Sequence, residues 1–250
     1  MILRRLAEAL RTQNWFTVVL EIAIVVIGIF IGLQVDAWNQ ARLDKVDEQV
    51  FLERIHEELI DSINVRKFIR DAKFEDWPNM VSAMETLLRR DDRDKLSPEE
   101  CGAINRSSYK TTNVAELPSL LALISTGRMG IIRDKELNAS LMRFEQQRQV
   151  LQRLAELPAI SLASSHPHLV KLASEVRPNG NIESDAVCDL AGMRADQGFM
   201  NDFAENIDKF EAYMSSGLIP LVSQIDPLHT LLDQSLQISH DEQAKSQTRE

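Results

Sequence analysis

The sequence predicts an all-α protein, with one N-terminal transmembrane helix that continues into a stem and a helical-bundle extracytoplasmic domain. Three observations predict this class: a 20-residue apolar run, apolar residues at helical spacing through most of the remainder, and no convincing alternating strand pattern. We divide the chain into a leader, a transmembrane helix, a helical stem, a helical domain and a flexible tail, which cover residues 1–15, 16–35, 36–75, 76–236 and 237–250.

The transmembrane helix is predicted from residues 16–35, where 14 of 20 residues are Ile, Leu, Val or Phe and only Glu21 is charged. A helix of this length is about 30 Å long, which matches the hydrocarbon core of a bilayer. The apolar residues favour insertion by about 6 kcal/mol, whereas a central acid costs at most about 3 kcal/mol. Trp15 and Trp38 flank the run and are predicted to anchor it at the two membrane interfaces.

A cleaved secretory signal is the alternative interpretation of this run. Arg4 and Arg5 precede the run, and Val35-Asp36-Ala37 loosely resembles a cleavage site with small residues. The run is longer than the apolar region of a typical signal peptide and contains an acid. We therefore favour an uncleaved anchor.

The orientation is predicted from charge. Three cations lie before the span and three lie within 20 residues after it, so the cation count alone does not decide. The short leader has a net charge of +2, whereas residues 36–250 carry 25 cations and 36 anions, a net charge of −11. We expect a cytoplasmic N-terminus and a periplasmic C-terminal domain in the bacterial inner membrane. In that compartment Cys101 and Cys188 either form a disulfide or remain two separate buried thiols.

One face of the predicted membrane helix carries small or polar residues. At 100° per residue the face comprises Glu21, Val25, Gly28, Gly32, Val35 and Asn39. Gly28 and Gly32 form a G-x-x-x-G step that lets two helices approach closely, so we hypothesise self-association or docking to another membrane helix. Alternatively, these glycines are ordinary membrane residues and Glu21 reaches the interface. A third interpretation gives Glu21 a role in proton relay.

The stem is predicted as an amphipathic helix with a spacing that is also typical of coiled coils. No Pro or Gly occurs between Trp38 and Pro78, and apolar residues recur every three to five positions as far as about Lys73. We expect Pro78 to separate this helix from a second one at 79–90.

The helices of the domain are predicted from caps and apolar faces. Ser97-Pro98 is a helix start, and 116–125 is a helix that Gly127 closes. Asp134 begins a longer helix, and one face of it carries Leu137, Leu141, Phe144, Leu151 and Leu154. Residues 178–181 are a predicted turn. The late helix is marked by Phe199, Phe203, Ile207, Phe210 and Met214, with Gly217 at its C′ position, and Leu228, Leu231, Leu232 and Leu236 complete the ordered part.

Two stretches resemble an uncharacterised family of bacterial single-span inner-membrane proteins. The first is the motif E-I-x-x-V-V-x-G-I-x-I-x-L-Q-V-x-x-W-N, which begins at Glu21 and ends at Asn39. The second runs from Leu120 through Ser125-x-Gly127-Arg128 to Leu137, although Met129 and Gly130 depart from that family's apolar pattern. The resemblance covers about half of the chain. It implies a short cytoplasmic N-terminus, one span and a helical periplasmic part, and it implies no activity, cofactor or catalytic residue.

Composition and motifs argue against most other classes. The net charge of −10 and a pI near 5.1 do not favour a nucleic-acid partner. No G-x-S-x-G, phosphate-loop or dinucleotide motif occurs. We expect His166-Pro167-His168 to be an exposed turn rather than a metal site, and the acids Asp91, Asp92 and Asp94 to be surface groups. The sequence therefore predicts no catalytic, cofactor or metal site.

The sequence favours a non-enzymatic, membrane-anchored interaction or scaffold protein. Its expected partners are the lipid bilayer and either a second copy or another membrane protein. We expect the leader to be too short for a cytoplasmic output domain, so that a signal across the membrane would need another protein. The rival hypothesis is a periplasmic ligand-sensing helical bundle that works with a partner protein.

Overall fold

The computed structural model describes residues 15–89, 92–110, 116–176 and 182–238. These residues are predominantly helical, as predicted. The chain divides into two compact units, Met1–Val50 and Phe51–Glu250. The second unit therefore includes residues 51–75 of the expected stem together with the expected domain. The leader up to residue 14 and the tail from residue 239 lie outside the described residues.

The first helix, α1, spans Trp15–Leu87 and contains Pro78 in its interior. The prediction that Pro78 separates two helices is therefore wrong. A proline removes one backbone donor and crowds the preceding turn, but it need not end a helix that packing holds on both sides. Pro78 itself is exposed, whereas Asp76 and Met80 are buried. The side-chain amide of Asn79 also donates to the Glu75 carbonyl oxygen at 2.9 Å.

The remaining helices belong to the second unit and are short, except for two. The α2 helix begins at Pro98 in a complete capping box between Ser97 and Glu100, and α4 begins after Asp134, whose carboxylate accepts two backbone N–H groups. Both starts confirm the predictions. The helices are α2 (Pro98–Arg106), α3 (Pro118–Ser125), α4 (Lys135–Ala155), α5 (Leu162–Ser165), α6 (Leu190–Ala195), α7 (Gln197–Ala212), α8 (Ile219–Ser223) and α9 (Ile225–Leu236).

A two-stranded antiparallel sheet, which the sequence did not predict, interrupts the otherwise helical chain. Strand β1 (Val170–Val176) pairs with β2 (Ile182–Cys188), with Val170 opposite Cys188. The predicted turn at 178–181 lies outside the described residues. The strands escaped detection because their apolar residues do not share one buried face: Val170 is buried, whereas Leu172 on the same side of β1 is exposed.

The core of the second unit confirms the predicted apolar faces of α4 and α7. Phe199, Phe203 and Phe210 of α7 are fully buried, and so are Leu137, Leu141 and Phe144 of α4. The second part of α1 adds Ile55, Leu59, Met80 and Ala83 to this core. Trp77 of α1 stacks on Phe210 with ring centroids 6.1 Å apart. The late segment of α1 is thus an integral core helix of the unit.

The predicted role of Gly217 as the residue that closes α7 is wrong. The helix continues through a π-helical segment, Tyr213–Leu218, into α8. A Cβ atom at Gly217 would lie 2.8 Å from Leu151 Cδ1, so the glycine permits close packing of this segment on α4. The side-chain amide of Gln147 donates to the carbonyl oxygens of Ser216 and Gly217 at 2.7 and 3.1 Å.

The helix α3 depends on a partner far away in sequence for its first turn. The Glu58 carboxylate accepts the backbone N–H and the hydroxyl of Ser119, with its closest oxygens at 3.1 and 2.7 Å. A carboxylate suits this end of a helix because its first N–H groups are otherwise unpaired. Gly127, at φ +69°, follows the helix and confirms the predicted closure.

Candidate functional site

The first candidate site is the apolar part of α1. Among the described residues one helix is long and apolar enough to cross a membrane: the segment Val19–Asp61, with a mean hydropathy of 2.2 in its most apolar window. None of that window is buried. Trp38 is 70% exposed, and Trp15 is the first residue of the helix. By length and composition, this helix fits a membrane span.

The predicted association face lies within this helix, so its regular geometry places the six residues along one side. Glu21, Val25, Val35 and Asn39 are exposed. A Cβ atom added at Gly28 or Gly32 would meet nothing within 4 Å. The backbone at this step is therefore accessible to a second helix.

The two cysteines form a disulfide, with a Cα–Cα distance of 5.8 Å between Cys101 and Cys188. Of the two alternatives that the sequence left open, the structure has the bridged one. The bond joins α2 to the end of β2 across 87 residues. Disulfides persist in oxidising compartments such as the periplasm.

The His166-Pro167-His168 segment is only partly the exposed turn that we expected. His168 is exposed, but His166 is half-buried, packs edge-on against Phe199, and bonds through Nε2 to Asp202 at 2.8 Å. Asp196 Oδ2 lies 3.9 Å from His166 Nδ1 and 3.7 Å from His168 Nε2. Asp196 also caps α7, and the backbone N–H of Phe199 holds the pKa of Asp196 below its ordinary value. This cluster fixes the start of α7.

A second histidine cluster, which sequence analysis missed, joins α1 to α9. His56 Nε2 lies 2.9 Å from Asp233 Oδ1, and His229 Nδ1 lies 3.5 Å from Asp233 Oδ2. The two imidazole rings stack, with centroids 5.0 Å apart and an interplanar angle of 10°. The i,i+4 spacing of His229 and Asp233 places both on one side of a helix, which is the only local signal; the distant His56 has none. Imidazole and carboxylate are donor groups that coordinate transition metals.

A buried ionic network surrounds Glu100. Burial by itself raises the pKa of Glu100. Its carboxylate accepts hydrogen bonds from Ser82 Oγ at 2.6 Å and from the Ser97 N–H at 2.7 Å, and it pairs with the Arg93 guanidinium. Together these interactions lower the pKa by more than burial raises it. The pKa of Glu100 therefore lies below its ordinary value. The network joins α1 to α2, and its groups are engaged with one another, which indicates a structural role.

An apolar groove of about 500 Å³ lies between the end of α1 and α7. Its walls are formed by Val81 and Met84 of α1, by Leu88 directly after that helix, and by Met200, Ala204 and Ile207 of α7. Glu85 and Asp208 also line the groove. A groove of this size accommodates a small apolar ligand or part of a partner.

Comparisons with known proteins assign none of these sites. The chain matches no protein-family model, no curated protein and no solved structure. The resemblance to the single-span bacterial family therefore stays a prediction.

Proposed function

We propose that this protein is a non-enzymatic interaction protein, anchored in the bacterial inner membrane by one helix, with a cytoplasmic N-terminus and a periplasmic domain. The carrying observation is that the most apolar window of α1 has no buried residue, although the same helix goes on to supply buried core residues. A continuous apolar surface of this size in water favours aggregation, whereas lipid accommodates it.

The proposed orientation is supported by two independent features. Residues 36–250 have a net charge of −11, and the leader has a net charge of +2, which suits a cytoplasmic leader. The disulfide between Cys101 and Cys188 suits an oxidising compartment on the other side.

Fractionation of cells that express the full chain tests the anchor. We expect the protein to stay in the membrane pellet after carbonate washing, with its N-terminal leader intact. In spheroplasts, external protease should degrade the domain, and alkylation before and after reduction should reveal the disulfide. Recovery in the soluble fraction, or a mature N-terminus at Trp38, contradicts the proposal.

The proposed partner of the membrane helix is a second copy of the same helix. The six-residue face is small or polar, and Gly28 and Gly32 leave room for close backbone approach. Facing a second helix also removes Glu21 from lipid, which is costly for a carboxyl group. These features support dimerisation through this face.

Crosslinking of the full chain in membranes tests the dimer. Gly28→Leu with Gly32→Leu should lower the association constant of the dimer by about tenfold, which is equivalent to about 1.4 kcal/mol. The matched control is Ala23→Leu with Ala37→Leu, because these residues lie at about 200° and 160° from Glu21, on the opposite face. An unchanged crosslink yield in the glycine variant, or an equal loss in the alanine variant, excludes this interface.

A second candidate function is ligand sensing, which the groove between α1 and α7 favours. Its walls are apolar and include two methionines, which adapt readily to ligand shape. A thermal-unfolding screen of the solubilised full chain with apolar metabolites should then give a stabilising hit. Ala204→Phe, which fills the groove, should abolish the shift, whereas Ala139→Phe on the exposed side of α4 should retain it. A screen without any hit speaks against sensing.

A further inference from the structure

The cluster of His56, His229 and Asp233 brings three potential metal ligands, two imidazoles and one carboxylate, together from opposite ends of the second unit's sequence. One donor atom from each residue lies within 4.8 Å of the others. A tetrahedral zinc ion, with bonds of about 2.0–2.2 Å, needs donors about 3.3 Å apart. His56 Nε2 lies 2.9 Å from one carboxylate oxygen of Asp233, and His229 Nδ1 lies 3.5 Å from the other, so each imidazole is already at about this distance from the carboxylate. Binding requires the side chains to rotate until both imidazole nitrogens and one carboxylate oxygen face the same point, because the two rings are stacked in the structure.

The donor set selects a class of metal. Two imidazole nitrogens with one carboxylate oxygen suit zinc and its neighbours in the transition series, whereas magnesium and calcium prefer oxygen ligands. Three protein ligands leave one position of a tetrahedral ion for water. The alternative sulfur ligands, Cys101 and Cys188, are held in their disulfide.

Burial favours a retained ion at this cluster. The side chains of His56, Asp233 and His229 are 9%, 15% and 22% exposed. Ile55 and Leu59 of α1 and Leu228 and Leu232 of α9, which neighbour the cluster in sequence, are fully buried. The binding of a divalent ion is stronger in such a buried setting, because water competes little for the ligands.

The His166 cluster provides an internal contrast. Asp202 approaches His166 from one ring nitrogen and Asp196 lies near the other, so the two carboxylates do not converge on one point. His168 is 65% exposed. The two clusters contain similar residues, but among the described residues only the first brings three donor atoms within 4.8 Å of one another.

We propose that His56, His229 and Asp233 bind one divalent transition-metal ion of the zinc class, which links α9 to α1. The site goes beyond the proposed anchoring and interaction function and does not depend on it. In the bound state His56 Nε2, His229 Nδ1 and a carboxylate oxygen of Asp233 are the ligands. Each imidazole binds as the neutral ring, so zinc binding releases protons when the rings are protonated.

The test is zinc titration of the untagged full chain in detergent micelles, stripped of metal by a chelator and kept oxidised. We expect one equivalent of Zn²⁺ to bind and to raise the melting temperature, with no response to Mg²⁺. His229→Ala and Asp233→Asn should each weaken zinc binding by at least about tenfold, since even loss of an outer-shell partner weakens metal affinity by 10- to 100-fold. His168→Ala is the matched control and should bind as the wild type.

Two further measurements distinguish loss of the proposed site from misfolding of the variant, and binding at this site from binding elsewhere on the surface. Asp233→Asn preserves side-chain size, and circular dichroism with an intact disulfide verifies its fold. Co²⁺ in place of Zn²⁺ should give visible absorption bands that are lost in His229→Ala and kept in His168→Ala. Absence of zinc binding in the wild type, wild-type affinity in both site variants, or an equal loss in His168→Ala overturns the proposal.

Discussion

The two parts of α1 have similar helical backbones and opposite environments. Up to Val50 the described side chains are mostly exposed, whereas from Phe51 onward the helix contributes to a buried core. Leu33 is 65% exposed and Leu59 is 0% exposed, although both are leucines in one helix. The comparison shows that the arrangement of apolar residues around the helix, and not the residue type alone, determines whether a leucine is exposed or buried. A helix that is apolar on every side suits lipid, and one with a single apolar stripe suits a protein core.

Loss of the disulfide should have the largest effect, and it should affect the second unit but not the apolar part of α1. Cys101→Ser with Cys188→Ser should lower the free energy of unfolding of the second unit by about 4–5 kcal/mol, because an 87-residue loop then gains entropy in the unfolded chain. Urea unfolding followed by circular dichroism measures this loss. Retention in carbonate-washed membranes should not change. A parallel loss of membrane retention would show that the anchor depends on the folded unit.

The same substitution at two positions of α1 sharpens the comparison. Leu59→Ala should cost about 2–5 kcal/mol of unfolding free energy, because it leaves a cavity in a packed core. Leu33→Ala should leave the urea transition unchanged, since its side chain contributes to no core in the described part of the chain. Equal effects at the two positions would contradict the assignment of separate environments.

The Glu100 network predicts a pH dependence that is confined to the second unit. Glu100→Gln should cost about 1–3 kcal/mol at neutral pH, because charge-assisted hydrogen bonds from Ser82, Ser97 and Arg93 are lost or weakened. The folded-state pKa is lowered, so this stabilisation is present above about pH 4.3, the unfolded value, and disappears as the pH falls through the folded pKa.

Urea midpoints of wild type and Glu100→Gln between pH 3 and 7 measure this dependence. The two midpoints should converge towards the acid end. Glu57→Gln, at an exposed position of α1, is the control and should track the wild type throughout. A constant difference between wild type and Glu100→Gln over the whole range would remove the charge as its cause.

The smallest predicted effect concerns the start of α4. Asp134→Ala should cost about 1 kcal/mol, because the Glu136 and Leu137 N–H groups lose their acceptor. Asp134→Asn retains an acceptor oxygen and should lose only a few tenths of that value. Denaturant unfolding compares the two, and a full loss in Asp134→Asn would indicate that the charge matters more than the cap.

Local signals predicted several helix ends correctly. Ser97, Gly127 and Asp134 act through atoms within a few residues of themselves, so the sequence reveals them. Pro78 and Gly217 were misinterpreted because their local signals are overridden by packing on both sides. The hairpin was missed for the complementary reason, since its apolar residues do not alternate between a buried and an exposed face.

The candidate sites divide in the same way. The apolar helix and its small-residue face follow from composition and 100° periodicity alone. The histidine cluster does not, because His56 and Asp233 are 177 residues apart and their contact carries no sequence pattern. The disulfide is intermediate: two cysteines limit the pairing to one possibility, but sequence alone does not show that they meet.

The sequence by itself determined the apolar helix, the amphipathic faces of α4 and α7 and the starts of α2 and α4, because hydrophobic periodicity and capping depend on neighbours along the chain. Only the tertiary structure decided that α1 continues through Pro78, that Glu58 completes the start of α3, and that two histidines and an aspartate converge. Those features depend on contacts between distant segments, and their energies arise only when the chain has packed.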